Sequence, residues 1–406
     1  MPNQKLWTKD YFCVLLTTFF AAITHNIFLS IFPLYVNSIG GNNALSGAMI
    51  TGHVAAGTVT RLVCGKLQDR YGRKRVLVAG AFLFLLNTAA YLFVTDMAAL
   101  FALRVFNGVS QGVYFGAAST IVADIAPPDR LVDGIGYFSI AAAVATAVSP
   151  MLGLWVFQNF GSLPLFLIAS VSAAVGAAFP LFIRTQGHSE AAPRQAVLKP
   201  EKKGMGPVAS VIELSVLAPA LVSFFITLGS SSISNFLASC GVERGIENVS
   251  LYFLLNSITM ISTRLFTGKL VKRFGEIKLI FAGAGLFLAA LVLVAFAHTT
   301  VPVAVSGILA GFGLGVATPL INSLVFRFAP EEKRGVANST FGLFGDLGSG
   351  LGGAVWGGVT QYAGYTAAYL LSAVSVLAGG ALHGVFLAPK LMKIDGSSGR
   401  GKTAAE

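Results

Sequence analysis

Four polar residues lie at helical spacing inside an otherwise apolar run over residues 98–123. They follow one another at separations of three, four and three positions and therefore share one face of an α-helix. A polar face on a helix that crosses a bilayer has to turn toward the protein interior or a water-filled cavity. The stripe therefore predicts an internal polar site. Its members are Arg104, Asn107, Gln111 and Tyr114.

Asp346 is the acidic residue that lies deepest inside an apolar run, twelve positions after Arg334. A buried carboxylate is costly unless it is protonated or paired with a cation. Two interpretations stay open: Asp346 takes up and releases protons, or it forms a fixed ion pair with Arg61 or Arg264 that holds helices together. Glu213, near the cytoplasmic end of the run 209–239, is expected to face water.

The composition identifies a membrane protein and excludes a soluble enzyme. Of 406 residues, 55% are hydrophobic and 11% charged, whereas a soluble domain carries roughly 25% charged residues. The net charge of +11 does not indicate nucleic-acid binding, because the basic residues follow the positive-inside pattern of membrane proteins. Arg61, Arg104, Arg244 and Arg264 are the exceptions. The three cysteines have no paired spacing, so we expect neither disulfides nor a metal site.

Twelve apolar runs are long enough to span a bilayer and must then be helical, because every backbone polar group needs an internal partner. We predict an all-α membrane protein with an N-terminal six-helix bundle (1–183), a cytoplasmic linker (184–208), a C-terminal six-helix bundle (209–389) and a disordered cytoplasmic tail (390–406). The predicted spans are 11–36, 44–65, 76–95, 98–123, 131–157, 162–183, 209–239, 246–268, 277–298, 301–328, 335–361 and 366–388.

The two halves of the chain are copies of one unit. The segment 60–67 (TRLVCGKL) matches the segment 263–270 (TRLFTGKL) at an offset of 203 residues, and the same offset relates Gly72 to Gly275 and Pro127 to Pro330. Shared hydrophobicity alone would not place glycine, arginine and proline in register. The sequence therefore predicts a duplicated six-helix unit.

The turn between the second and third runs carries the most specific motif of the chain. It resembles the loop signature G-x-L-x-D-R-x-G-R-K of the major facilitator superfamily. The resemblance implies twelve transmembrane helices in two pseudo-symmetric six-helix bundles that move by alternating access. It also implies that this turn gates the cytoplasmic side when the protein faces outward. The matching residues are Gly65, Leu67, Asp69, Arg70, Gly72, Arg73 and Lys74.

Two further segments resemble motifs of the same superfamily. Residues 104–112 resemble R-x-x-x-G-x-x-x-G, whose arginine is linked in that family to proton transfer; alternatively, Arg104 snorkels to the outer interface. Pro150 and Gly153 match a worn form of the antiporter motif G-x-x-x-G-P-x-x-G-G, in which other glycines are replaced. These replacements put antiport in doubt without excluding it.

The resemblance also implies that spans 1, 4, 7 and 10 line a central cavity, and these spans hold much of the intramembrane polarity. His25 could titrate near neutral pH or be a hydrogen-bonded structural histidine. Besides the stripe residues Asn107, Gln111 and Tyr114, the substrate-cavity candidates are Thr24, His25, Asn26, Ser231, Asn235, Thr318 and Asn322.

From the resemblance we expect a transporter of the bacterial drug:proton antiporter-like branch that exports a small organic molecule. It would exchange the molecule for protons, with Arg104 and Asp346 in coupling, and need no cofactor beyond the proton gradient. We expect a monomer in the bacterial inner membrane with both termini cytoplasmic, and no nucleic-acid partner. Alternatives are a uniporter or proton-coupled importer of a sugar or metabolite, and a lipid flippase.

Overall fold

The computed structural model describes residues 6–127, 130–184, 212–330, 333–389 and 391, and these form helices without strands. The predicted linker (from 185) and tail (from 392) lie outside the described residues. The helices are α1 (Lys9–Ser38), α2 (Asn43–Tyr71), α3 (Arg73–Ala90), α4 (Met97–Ile125), α5 (Leu131–Phe160), α6 (Ser162–Phe182), α7 (Leu217–Glu243), α8 (Ser250–Phe274), α9 (Glu276–Ala295), α10 (Thr300–Phe328) and α11 (Arg334–Leu382). A 3₁₀ turn (Leu214–Val216) precedes α7 and a π-helical turn (His383–Leu387) follows α11.

Helix α11 consists of two helical segments, because Gly364 between them has φ 80° and ψ 170°. The described residues thus contain twelve helical segments, near the predicted spans. By length and composition, seven helical stretches qualify to cross a membrane, of which one contains both segments of α11. The helices left out are α2, α3, α4 and α8. The qualifying stretches are Lys9–Ser38, Ile140–Phe160, Ser162–Phe182, Leu214–Glu243, Glu276–Ala295, Thr300–Phe328 and Val336–Leu387.

The two basic turns at 65–75 and 268–278 reverse the chain at equivalent glycines. Gly72 has φ 86° and Gly275 has φ 82°, a region in which an L side chain is strained. Each glycine ends one helix and begins the next, so the chain reverses without a loop. The end of the bundle that carries both turns is called the basic end below, and the opposite end is called the far end.

The two halves share one hydrophobic core at the far end and have separate cores at the basic end. The shared core joins residues of both halves, among them Tyr35 of α1, Phe236 of α7 and Tyr365 of α11. Toward the basic end, one cluster contains only residues 6–183 and two others only residues 216–391. The halves therefore meet at the far end and leave an opening between them at the basic end.

The main contact between the halves is an antiparallel seam of α2 and α11. At the far end, the Asn43 backbone N–H donates to Gln361 Oε1 at 3.1 Å. In the next turns, Gly47 lies directly against Gly353, and Thr51 Oγ1 donates to the Gly350 carbonyl at 2.5 Å. Small residues let the two backbones approach this closely. Helix α5 packs on α8 and α1 on α7 to complete the interface.

Toward the basic end the seam opens. Gly65 on α2 and Gly342 on α11 have no atom of another segment within 4 Å of the place where a Cβ would stand. Arg61 and Asp346 form the seam's hydrogen bond nearest the basic end among the described residues.

Glu213 corrects one sequence-based expectation, because it is 9% exposed rather than water-facing. Its carboxylate lies 3.0 Å from Lys333 Nζ, and its backbone N–H donates to Thr340 Oγ1 at 3.0 Å. Burial raises the pKa of Glu213, but hydrogen bonds from Lys333 and Ser215 lower it, and the resulting pKa lies below the usual value. The pair joins the start of the α7 region to the start of α11.

We expect Gly47→Ala to lower the thermal stability of the purified protein, because the new Cβ would stand 2.2 Å from the Gly353 carbonyl oxygen. Overpacking of this kind costs about 1–3 kcal/mol. Gly358→Ala is the matched control, since no atom lies within 4 Å of a Cβ there. Equal melting temperatures for the two variants would show that the seam is not close-packed.

We expect Glu213→Gln to destabilise the protein at neutral pH by about 1 kcal/mol through loss of the charged pair. Because the folded-state pKa is lowered, the pair's contribution is complete above the unfolded pKa of about 4.3 and is lost as pH falls through the folded value. The difference in melting temperature should therefore shrink in acid. Glu243→Gln, at an exposed position, is the control, and a gap that is constant with pH would contradict the prediction.

Candidate functional site

Asp346 forms an ion pair across the seam between the two halves. Its Oδ2 accepts hydrogen bonds from Arg61 Nη1 at 2.9 Å and from Thr58 Oγ1 at 3.2 Å, both on α2. The side chains are 26% exposed for Asp346 and 53% for Arg61, so neither is enclosed by the described part of the protein. Of the two arginines considered from the sequence, Arg61 is the partner. Whether Asp346 titrates during the working cycle stays a prediction.

Arg104 lies wholly inside the N-terminal half. It is 0% exposed, so it does not snorkel to an interface. Its guanidinium group stacks over the Phe32 ring at 4.7 Å from the centroid. None of its three side-chain nitrogens makes a well-aligned hydrogen bond with the described residues, although the Tyr91 hydroxyl lies beside the guanidinium group. A cation–π contact offsets about 2 kcal/mol, less than the several kcal/mol that burying a cation costs. Arg104 is therefore a costly residue that packing alone does not explain.

A pair of histidines lies beside Arg104. The rings of His25 on α1 and His53 on α2 stack with centroids 5.6 Å apart and planes inclined by 21°. His53 Nδ1 lies 3.3 Å from the Arg104 carbonyl oxygen. The sequence analysis singled out His25 and missed His53. The signal was present, because His53 is an ionisable residue inside an apolar run, which by default indicates a functional site.

Other residues of the α4 stripe are used in packing. Asn107 is 1% exposed and its Nδ2 donates to Asn87 Oδ1 on α3 at 2.8 Å. Tyr114 is 2% exposed and its hydroxyl donates to the Thr17 carbonyl on α1 at 2.8 Å. In this conformation both hold the N-terminal half together, and contact with a substrate would require the helices to move. Gln111 is half-buried.

On α1 the candidates Thr24 and Asn26 also join helices. Thr24 Oγ1 donates to the Ala169 carbonyl of α6 at 3.1 Å, and Asn26 Nδ2 donates to Thr146 Oγ1 of α5 at 3.1 Å. Pro150 lies inside α5, and Gly153 packs against Ile27 and Ile31 of α1. The worn motif thus lies where α5 meets α1.

In the C-terminal half the substrate-cavity candidates differ in their exposure and in their hydrogen bonds. Ser231 is buried against Gly352 and donates to the Leu228 carbonyl at 2.7 Å. Asn235 is 1% exposed, and its Oδ1 has no partner among the described residues. Thr318 is exposed, and Asn322 is half-buried with an unpartnered Oδ1. These unpartnered amide oxygens are acceptors available to a ligand or to water.

The residues of the 65–75 turn make no hydrogen bond or ion pair with the described residues of the other half in this conformation, and their role as a gate stays a prediction. Arg73 pairs with Asp124 of α4, in the same half. Arg70 lies over the Tyr71 ring at 5.2 Å. Leu67 packs on the N-terminal core, Lys74 is half-buried, and Gly65, Asp69 and Gly72 are exposed.

The second copy repeats the Arg73–Asp124 pair with its charges exchanged. At the 203-residue offset, Glu276 stands for Arg73 and Arg327 for Asp124, and Arg327 Nη1 lies 3.2 Å from Glu276 Oε2. The apparent erosion of the signature in the second half therefore preserves an ion pair at the same place in the fold.

Comparison with known proteins agrees with this architecture. The model of the Major Facilitator Superfamily matches residues 14–239 and 219–405, so the chain belongs to that superfamily. The structure is similar to a crystal structure of the nucleoside transporter NupG (TM-score 0.74, 16% identity, 93% of this chain and 100% of that chain). It is also similar to a POT family transporter in complex with 5-aminolevulinic acid (TM-score 0.75, 15% identity, 96% and 98%). The predicted fold class is confirmed.

Curated relatives match over nearly their whole length. The multi-drug resistance efflux pump PmrA homolog of Lactococcus lactis is 25% identical over 91% of this chain and 93% of its own. Multidrug resistance protein MdtG of Dickeya zeae is 24% identical over 91% and 92%. The predicted resemblance to the drug-antiporter branch is confirmed. The protein is a multi-pass membrane transporter and not an enzyme.

We expect Arg104→Met to leave the melting temperature unchanged or to raise it, because burying the guanidinium group costs more than its contacts with the Phe32 ring and the neighbouring Tyr91 hydroxyl contribute. The matched comparison is Arg244→Met. Arg244 donates to the Ala297 and Ala295 carbonyls at 2.8 and 3.0 Å and to Thr366 Oγ1 at 2.8 Å, so its loss should lower the melting temperature clearly. Equal destabilisation by both variants would mean that Arg104 is a structural residue.

Proposed function

We propose that the protein exports a small organic molecule in exchange for protons, and that Asp346 carries the proton. The observation that carries this proposal is the Arg61–Asp346 pair, which joins the two halves at the point where the seam opens. The similarity to relatives named as multidrug efflux or resistance proteins supports export as the direction.

The strength of the pair favours a switch over a fixed link. An ion pair in which one partner is half-exposed contributes about 1 kcal/mol or less. A contact of that size adds little to a seam already packed through glycines and backbone hydrogen bonds. It is, however, removed completely when the carboxylate is protonated, because a neutral acid no longer attracts the guanidinium group. The pair therefore couples the charge of Asp346 to the contact between the halves.

The geometry fits one order of steps in an exporter. We place the basic end in the cytoplasm, with both chain termini there, following the positive-inside rule. The structure then faces the cytoplasm, with Asp346 deprotonated, paired and in contact with water through the opening. Substrate binds from this side, and the halves close at the basic end and part at the far end. After release outside, Asp346 takes up a proton, and the return to the cytoplasm-facing form delivers it.

The turn at 65–75 is the proposed gate in this cycle. In the described part of the chain, its residues form no hydrogen bond or ion pair with the other half while the opening faces the basic end. When the basic ends of the two halves approach each other, this turn is in position to make such contacts. Exchange through a single site that faces one side at a time needs no ATP, only a proton gradient.

We expect Asp346→Asn to abolish proton release that an added substrate triggers in everted vesicles energised by respiration. The amide keeps the size of the side chain but cannot bind and release a proton. Asp96→Asn is the matched control, because Asp96 only caps the start of α4 and asparagine caps equally well. Proton movement is followed with a pH-sensitive dye while a panel of candidate compounds is added.

Three outcomes separate the alternatives. Release that is lost in Asp346→Asn and kept in Asp96→Asn supports antiport with Asp346 as the proton carrier. Release that survives in both variants keeps antiport but makes Asp346 structural. No release with any compound, together with downhill accumulation of a labelled metabolite, contradicts antiport and indicates a uniporter.

A further inference from the structure

The four basic residues outside the positive-inside pattern are all arginines, and three have a partner or an enclosed place in the structure. Arg61 pairs with Asp346. Arg244 donates to backbone carbonyls at the end of α9. Arg104 is enclosed in the N-terminal half over the Phe32 ring. The side chain of Arg264 on α8 is exposed, and it makes no hydrogen bond or ion pair with any described residue.

Arg264 occupies the same place in the second half as Arg61 in the first. Thr60, the neighbour of Arg61, packs on Gly112 of α4, and Thr263, the neighbour of Arg264, packs on Gly315 of α10. The duplicated helices α2 and α8 therefore have the same rotation about their axes. Helix α2 contacts α11 of the opposite half and α8 contacts α5 of the opposite half. Arg264 is thus at the second seam, as Arg61 is at the first.

The depth of Arg264 requires that it face the opening. It lies ten residues before Phe274, the last residue of α8, which at 1.5 Å per residue is about 15 Å from the basic end. This distance is half the thickness of the hydrocarbon layer, and an arginine there is costly in contact with lipid. The neighbours Leu265 and Phe266, 75% and 54% exposed, provide the lipid-facing surface. An exposed guanidinium at this depth is therefore stable only in the water-filled opening between the halves.

The duplication is broken at the residue that would neutralise Arg264. The counterpart of Asp346 at the 203-residue offset is Ala143, so the second seam has no acid at that position. Asp346 neutralises Arg61, whereas no carboxylate of the described residues neutralises Arg264. In the described part of the chain, the opening thus has a positive charge on its C-terminal side that no carboxylate balances.

We propose that Arg264 binds a carboxylate group of the transported molecule, so that the substrate class includes small organic anions and zwitterions. A guanidinium group presents two parallel N–H donors to the two oxygens of a carboxylate, which gives both strength and orientation. Arg104 is not an alternative, because it is 0% exposed and a ligand in the opening cannot reach it. This inference rests on the proposed function in taking the ligand to be the transported molecule.

The test uses the purified full-length protein and needs no proton gradient. Its melting temperature is measured against rising benzoate and hexanoate, each compared with its neutral amide at the same ionic strength. We expect the carboxylates to stabilise the protein more than the amides. In Arg264→Gln the apparent affinity for the carboxylates should fall on the order of tenfold or more, and Arg264→Lys should be intermediate because it keeps the charge and loses the two-pronged geometry.

Lys269→Gln is the control, since it removes one positive charge from the exposed end of the same helix and should respond like the wild type. Equal stabilisation by carboxylate and amide, or a carboxylate response that persists in Arg264→Gln, would overturn the proposal. If sodium sulfate at the same ionic strength reproduces the response, the site binds inorganic anions and the assignment to the substrate is wrong. If the wild-type protein shows the carboxylate response but no substrate-triggered proton release in vesicles, the proposed antiport is contradicted and the carboxylate site is not.

Discussion

The close approach of α2 and α11 is the contact on which the rest of the structure depends. Gly47 lies against Gly353 and Gly357, with no side chain between the two backbones. Hydrogen bonds from Asn43 and Thr51 fix the register of the two helices. Because this contact is strong at the far end and ends near Arg61, it acts as a closed seam on one side of the membrane and leaves the other side open.

The charge asymmetry between the two halves comes from small departures within a duplicated unit. Glycine turns, threonine packing and the twin arginines are kept in both halves, which preserves the fold. Some departures are compensated, as where Glu276 and Arg327 repeat the Arg73–Asp124 pair with the charges exchanged. Others are not compensated, as where Ala143 stands at the position that corresponds to Asp346. The residues that set the fold are thus alike in the two halves, whereas the charged residues differ.

The interior of the N-terminal half concentrates groups that cost stability. Arg104 makes no well-aligned side-chain hydrogen bond with the described residues, and two histidines stack beside it. A structure selected for stability alone would replace them with apolar side chains of similar volume. Their presence between α1, α2 and α4 supports the prediction that this region takes part in the working cycle, which stays a prediction.

The sequence by itself determined the helical membrane architecture, the duplication and the family. Each depends on local information: apolar length, the 203-residue repeat and the turn motif. It also identified Asp346 and Arg104 as unusual, because a charge within an apolar run is visible without coordinates.

Only the tertiary structure decided which charges meet. It selected Arg61 over Arg264 as the partner of Asp346, brought the missed His53 against His25, and turned Asn107 and Tyr114 from expected cavity residues into packing residues in this conformation. It also buried Glu213, which the sequence placed in water. The physical reason is that helical periodicity fixes the face on which a side chain lies, whereas its neighbours depend on the rotation and depth of other helices, which only their mutual packing sets.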